Sequence, residues 1–425
     1  MSEANAAPPM RCLMLAWLAD PERGSEWAAA WGMARAAARL GPVRLLVRPD
    51  CEAPIRDWCA RHPEVPIAPV AVAAPAVRYR WLARLLPKGH FLDYLAWLGE
   101  AERVARELLA RERFDLAVHA ALGCYWLPSP VVALGIPSVW GPVGGATRVH
   151  PALVAALGWR GLAERALERA VLAVASRLPA TRGTMRRADR VLVECRATLS
   201  LLPADVAQRA RIFNRAVLTA VPDLPARPRL RTVLFPSTLD ARKAPRLALE
   251  AFRFAPPDAV LLFANEGPEE PALRRRAEAL GLAERVRFLG RVPRSRCFEL
   301  VREAGVVVFT GLNEDGGCAL CEAMLLGAPV VVLAHSGPAE IVARWGLDPS
   351  RVALVEPAGP QPTAAALGEA LSRFLVRPPS ATDPYLDQAG ATLAFLELLT
   401  GAPVAAARPV ASGEPAKAAE AVLVP

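Results

Sequence analysis

Glu314 and Glu322 offer the clearest chemistry in this sequence. They stand in the stretch GLNEDGGCALCEAMLLGAPVVVLAHSG, from Gly311 to Gly337, with seven residues between them. The apolar run Val306 to Thr310 reads as a strand, the polar loop NEDGG follows, and a helix starts at about Cys318. One carboxylate therefore stands in the loop and the other about one turn into the helix. In an open α/β sheet such a loop lies at the carboxyl end of a parallel strand, where ligands bind. Gly316 and Gly317 allow close backbone approach, and the amides that open the helix suit an anion such as a diphosphate. Two carboxylates suit the vicinal hydroxyls of a sugar or a ribose. His119, in the strand-like FDLAVHAALG, is either a group that titrates near neutrality or a hydrogen-bonded core residue. Cys318 and Cys321 form a C-x-x-C, but no second pair exists and the five histidines are dispersed, so no metal site is expected.

Short apolar runs alternate with longer helical ones, which requires parallel sheets covered by helices. A strand from Arg11 to Leu18, a polar loop, a helix from Glu26 to Leu40 and a strand from Val43 to Val47 make a βαβ unit. After the Pro-rich stretch Pro222 to Arg229 the alternation resumes. Strands are expected at Thr232 to Pro236, Val260 to Phe263, Val286 to Leu289, Val306 to Thr310 and Pro329 to Leu333. Helices are expected at Pro245 to Phe254, Pro271 to Leu280, Arg294 to Ala304 and Leu320 to Leu326. The fold class is therefore α/β, with two doubly wound domains and a ligand between them. The division predicts a disordered start over 1–10, an amino-terminal domain over 11–220 and a carboxyl-terminal domain over 221–383. A helix over 384–400, read from Tyr385 to Leu399, crosses back, and a disordered Ala/Pro-rich tail follows over 401–425.

The chain has 425 residues, 53% of them hydrophobic, which excludes wholesale disorder. Its net charge of +9 comes without a nucleic-acid motif or a dense basic run, so nucleic acid is not an expected partner. The longest stretch free of charged residues, Leu116 to Thr147, is broken by four prolines and cannot form a spanning helix. With no basic start leading into an apolar run, a cytoplasmic location is expected. The stretch RYRWLARLLPK, Arg78 to Lys88, mixes cations with Tyr79, Trp81 and leucines, which suits a peripheral contact with an anionic membrane surface. It equally suits a helix flank whose arginines snorkel.

The window Glu314, Glu322, Ala323, Met324, Gly327, Pro329, Val330 resembles the hallmark of the retaining glycosyltransferases of family 4, which have the GT-B fold. The resemblance continues through ANEGPEEPALRRRAEALGLAERVRFLGRV, SGPAEIV and LDARKAPRLALEAF, and more loosely through PERGSEW, FDLAVHAALG and WGPVGG, a loop of one bacterial branch. It covers most of residues 11–400.

The resemblance implies a nucleotide-diphosphate sugar, UDP- or GDP-linked, as co-substrate with no further cofactor. Glu322 would bind the ribose. Glu314 with Asp315, Gly316, Gly317 and Cys318 would hold the donor sugar, with Gly267 in the donor site. Lys243 would neutralise the diphosphate, and His119 and Gly24 would face the reacting sugar. The implied reaction retains anomeric configuration without a metal, on an envelope, exopolysaccharide or lipid-linked glycan acceptor at the inner face of the plasma membrane. One position departs: Thr238 stands where the family has an arginine. Either Arg242 or Arg215 substitutes, or the chain is a catalytically degenerate GT-B protein that binds nucleotide or glycan, or acts as an assembly subunit. An epimerase or a phosphorylase shares the fold but accounts less well for the two glutamates.

Overall fold

The computed structural model describes residues 9–75, 91–379 and 382–404, including the side chains of all but 155–161 and 164. The expected membrane stretch Arg78 to Lys88, residues 1–8 and the tail from 405 lie outside the described residues.

Thirteen strands form two sheets. The first contains β1 (Cys12–Ala16), β2 (Val43–Val47), β3 (Ile67–Ala71), β4 (Leu116–Ala121), β5 (Ser138–Val143), β6 (Arg190–Val193) and β7 (Arg211–Ile212), in the order β3-β2-β1-β4-β5-β6-β7. The second contains β8 (Thr232–Phe235), β9 (Val260–Phe263), β10 (Val286–Phe288), β11 (Val306–Phe309), β12 (Val330–Leu333) and β13 (Val352–Val355), in the order β10-β9-β8-β11-β12-β13. Every pairing within both sheets is parallel. The central strands explain this in their composition. CLMLA and VVVL are buried along their whole length, as strands covered by helices on both faces must be.

Fourteen α-helices of the described residues connect or flank the strands. In the first half they are α1 (Glu26–Ala37), α2 (Pro49–Arg61), α3 (Phe91–Leu109), α4 (Gly158–Ala175), α5 (Pro179–Arg187), α6 (Arg196–Leu199) and α7 (Ala204–Ala207). In the second they are α8 (Pro245–Phe252), α9 (Glu270–Ala279), α10 (Arg294–Glu303), α11 (Cys318–Leu325), α12 (Ser336–Trp345), α13 (Pro360–Val376) and α14 (Gln388–Thr400). The last helix begins three residues later than its apolar pattern suggests. Leu386 bridges to Gly346 as extended chain, and the Asp387 carboxylate caps the helix by accepting from Gly390 N at 2.9 Å. It packs against the first half, with Phe395 stacked on Phe213 at 5.2 Å. Arg190 donates to the carbonyls of Leu399 and Thr400 at 2.8 and 2.9 Å, placing a cation on the negative end of that helix.

The two sheets point their carboxyl ends at each other. Loops after β1, β5 and β6 meet loops after β8, β11 and β12. An apolar contact closes part of this junction, where Leu153 of the first half packs with Ala244, Leu312 and Leu333 of the second. Among the described residues the four non-glycine residues with positive φ lie in connections that leave a strand's carboxyl end: Leu122 (45°) and Ser336 (56°) within three residues of it, and Ser25 (60°) and Ala244 (48°) at the caps of the helices that follow. Such backbone costs about 1–3 kcal/mol each and concentrates where a fold builds a site.

Candidate functional site

The expected loop Asn313 to Gly317 lies between β11 and α11, and Glu314 is held there by Lys243, whose ammonium donates to Glu314 Oε2. Both side chains remain about one-fifth exposed, so the pair borders the cleft without being sealed in the core. Lys243 is positioned from the other side of the sheet's switch point: its amide donates to Asp240 Oδ1 at 3.0 Å, and its carbonyl accepts from Thr310 Oγ1 at 2.9 Å. A cation and two carboxylates thus gather where β8 and β11 diverge.

Glu322, one turn into α11, is buried beneath this loop. Its Oε1 accepts from Arg294 Nη2 at 2.7 Å and from Thr219 Oγ1 at 3.4 Å. Burial raises the Glu322 carboxyl above its ordinary range, and Arg294 and Thr219 pull against that rise. Arg294 also donates to the carbonyls of Pro21 at 3.2 Å and Ala220 at 3.3 Å, so one guanidinium ties both halves to the carboxylate. Gly24 lies beside it: a Cβ at Gly24 would stand 3.7 Å from Arg294 Nε.

Asp315 faces the opposite half. Its carboxylate accepts from Gly145 N at 3.0 Å, Thr147 N at 3.2 Å and Cys195 Sγ at 3.4 Å, while its carbonyl accepts from Asn214 Nδ2 at 2.6 Å. Gly144 is wedged between the halves. A Cβ there would fall 2.6 Å from Glu194 Oε2 and 3.3 Å from Asp315 Cβ. Gly337 has a similar constraint, since a Cβ would meet the Asp315 carbonyl oxygen at 1.8 Å. Gly316 has open space around it, and Gly317 opens α11. Cys318 donates to Ser25 O at 3.4 Å across the junction, and burial pushes its thiol well above the usual range. Cys318 and Cys321 are both free, and burial holds each thiol above its ordinary range.

Three further expected residues take other partners. The ring of His119 is buried, with Nδ1 against Ser129 Oγ at 2.7 Å and Nε2 against Tyr94 Oη at 2.5 Å and Ala121 O at 3.1 Å. Burial lowers its pKa to about 4, so the structure holds it as a neutral core residue with both ring nitrogens engaged. Gly267 packs on the backbone of Leu239, where a Cβ would meet Leu239 O at 2.5 Å, and with Glu266, Glu270, Pro271 and Arg274 it borders an open depression of about 550 Å³. Thr238 donates to Asp240 Oδ2 at 2.8 Å, and the two suggested cations differ in what holds them. Arg242 is half-exposed, 3.7 Å from Asp240. Arg215 is buried between Glu194 at 3.0 Å and Glu26 at 2.6 Å.

This triad, in which Arg215 and Glu194 are buried and Glu26 reaches the surface, and Arg294 escape a reading of the sequence. Glu194 and Arg215 are 21 positions apart in different elements, and only the fold makes them partners. Burial pushes the Glu194 carboxyl above its ordinary range, opposed by Arg215. Glu26 alone had a signal, in PERGSEW. Among the described residues no group of three His, Cys, Asp or Glu is placed to hold a metal.

Two parallel-sheet domains with apposed carboxyl ends and a carboxyl-terminal helix that returns to the first half define a GT-B protein. Comparison with known proteins agrees. Residues 220–382 match the family described as "Glycosyl transferases group 1". The D-inositol 3-phosphate glycosyltransferase of Mycobacteroides abscessus is 34% identical over 149 residues, 34% of this chain and 32% of that protein. The phosphatidyl-myo-inositol mannosyltransferase of Mycobacterium leprae is 34% identical over 139 residues, 31% of this chain and 36% of that protein. The matched stretch thus spans about a third of these relatives' length. Among solved structures, Anabaena HepE in complex with UDP-glucose superimposes with a TM-score of 0.52 at 16% identity, covering 92% of this chain and all of that one. The lipopolysaccharide outer core galactosyltransferase WaaB gives a TM-score of 0.52 at 12% identity, with 92% and 99% covered. At these identities the likeness is one of fold.

Proposed function

We propose that this protein is a glycosyltransferase that moves a sugar from a nucleotide-diphosphate donor to an acceptor held by the amino-terminal domain. The observation that carries the reading is the Lys243–Glu314 ion pair in the loops after β8 and β11, with Glu322 held by Arg294 in the helix that follows, all inside the segment that matches the family. In this reading Glu322 receives the ribose hydroxyls, with Arg294 yielding or sharing its carboxylate, and Lys243 leaves Glu314 to neutralise the diphosphate. A charge-assisted contact to a leaving group that gains negative charge lowers the barrier directly. Glu314 then turns to the donor sugar. Transfer with retention, by front-face attack while the departing diphosphate takes the acceptor proton, requires neither a protein nucleophile nor a metal. The acceptor is an envelope, exopolysaccharide or lipid-linked glycan, met at the cytoplasmic face of an anionic membrane.

One observation favours a second reading. Thr238 is turned to Asp240 and Arg215 is buried between two glutamates, which leaves Lys243 and the half-exposed Arg242 as the nearby cations and suits a protein that binds donor or glycan without turnover. A panel of UDP- and GDP-sugars incubated with membrane extract separates the two. The proposal expects hydrolysis or transfer from at least one donor and weaker nucleotide binding by Glu322→Ala. Intact donors across the whole panel would sink the catalytic reading.

A further inference from the structure

The guanidinium of Arg215 is divided among four partners, each from a different element of the first half. Its Nε lies 3.0 Å from Glu194 Oε1 just past β6, and its Nη2 donates to Glu26 Oε2 at 2.6 Å in the first turn of α1. Its Nη1 donates to the carbonyls of Ala120 in β4 at 3.4 Å and Pro142 in β5 at 3.2 Å. One side chain thus fixes the carboxyl ends of β4, β5 and β6 against the start of α1. A buried ion pair does not by itself favour a fold over apolar packing of the same volume, so stability alone gives no reason to keep this one. The exposure of its members shows what it positions. Arg215 and Glu194 are 4% and 5% exposed, whereas Glu26 is 40% exposed.

Glu26 stands where the two halves meet. Its neighbour Ser25, with a left-handed φ of 60°, offers its carbonyl to Cys318 Sγ at 3.4 Å, and Cys318 opens α11 directly after the loop Asn313 to Gly317. The charges of Glu26, Arg215 and Glu194 all reach the Cys318 thiol, together with that of Glu322. Gly24, two residues before Glu26, lies against Arg294. With Oε2 given to Arg215, Glu26 Oε1 has no hydrogen-bond partner among the described residues. A carboxylate oxygen fixed by a buried cation and left exposed at the junction is preorganised to accept from a hydroxyl.

We propose that Glu26 receives a hydroxyl of the acceptor sugar next to the attacking one, and that Arg215 and Glu194 are positioning residues that hold its carboxylate toward the donor loop. The proposal rests on the glycosyltransferase reading. Glu26 acts by orienting the acceptor ring. The attacking hydroxyl keeps its proton for the departing diphosphate, so no proton moves to Glu26. Arg215 sets the polarity of this contact, because a guanidinium has only donors. In Glu26→Gln the amide oxygen must turn to Arg215, and the NH2 group then presents a donor where the native side chain presents an anionic acceptor.

The test uses the full chain, the labelled UDP- or GDP-sugar that the donor panel identifies, membrane extract as acceptor, and equilibrium binding of the corresponding nucleoside diphosphate. Glu26→Gln should lower transfer about tenfold to a hundredfold, the usual effect of losing one hydrogen bond to a charged group, and should bind the nucleotide within about twofold of wild type. The loss should appear as a higher half-saturating amount of extract, which a merely structural role would not produce. Arg215→Met, which leaves Glu26 unheld, should also lower transfer, and Arg215→Lys should restore part of it. Should Arg215→Met fail to fold, Glu26→Gln decides alone, since it leaves the pair of Arg215 and Glu194 in place. Unchanged transfer by Glu26→Gln, or transfer and nucleotide binding falling together, would overturn the proposal. A wild type that turns over no donor would instead remove the glycosyltransferase reading and this proposal with it, so the two failures are distinguishable.

Discussion

Replacing Arg294 by alanine tests the energetics of the junction most sharply. The substitution leaves the Glu322 carboxylate, 12% exposed, with only the Thr219 hydroxyl at 3.4 Å, and removes the bridges to Pro21 and Ala220. Removing one partner of a buried ion pair costs about 3–5 kcal/mol. Because both side chains keep some exposure, about 3 kcal/mol is the appropriate figure, which lowers the melting temperature of a domain this size by about 6–12 °C. The loss depends on pH in a known direction. Burial already raises the Glu322 carboxyl, and without Arg294 it rises further. A carboxyl whose folded pKa exceeds its unfolded value binds more protons in the folded state, so the variant gains stability as pH falls through that window. Calorimetry at pH 8 and pH 5 should show a wide gap to wild type at the higher pH and a narrower one at the lower. Arg294→Ala combined with Glu322→Gln should recover much of the loss, because no buried charge is then left unpaired. A double variant melting no higher than Arg294→Ala, with equal gaps at the two pH values, would refute the reasoning.

Gly144→Ala should lower the melting temperature, since its Cβ would meet Glu194 Oε2 at 2.6 Å within the first half and press on Asp315 Cβ at 3.3 Å across the junction; a wild-type melting temperature would show that these neighbours yield without cost. His119 titrates at about 4 in the folded chain, below its ordinary 6.5, so the unfolded state binds the extra proton and stability falls as pH drops through that window, by about 3 kcal/mol. His119→Gln should flatten the acid limb of the melting profile, and an unaltered limb would remove His119 from the account. Thr238→Arg supplies the arginine that the family has there, and should raise donor turnover up to about a hundredfold if the native site is short of charge. Unchanged turnover would show that the native cations suffice.

What the sequence determined by itself is what depends on local pattern. Continuous apolar runs such as VVVF and VVVL must be buried on both faces, and their alternation with helices requires parallel sheets, so five of the six strands of the second half were legible within about a residue at each end, while β13, an edge strand with Leu354 exposed, was not. The Glu314 to Glu322 spacing likewise announced a loop and a helix at a strand's carboxyl end. Tertiary structure alone decided the partners. Arg294 looks like an ordinary helix-start cation until folding brings Glu322, Pro21 and Ala220 around it, and Arg215 becomes the centre of its triad only because β6 and α1 converge there. His119 shows the converse, since its chemistry depends on Tyr94 and Ser129 from distant segments that occupy both ring nitrogens. Leu167 and Val174 of α4 face water although both are apolar, because burial belongs to the assembled molecule and not to the residue.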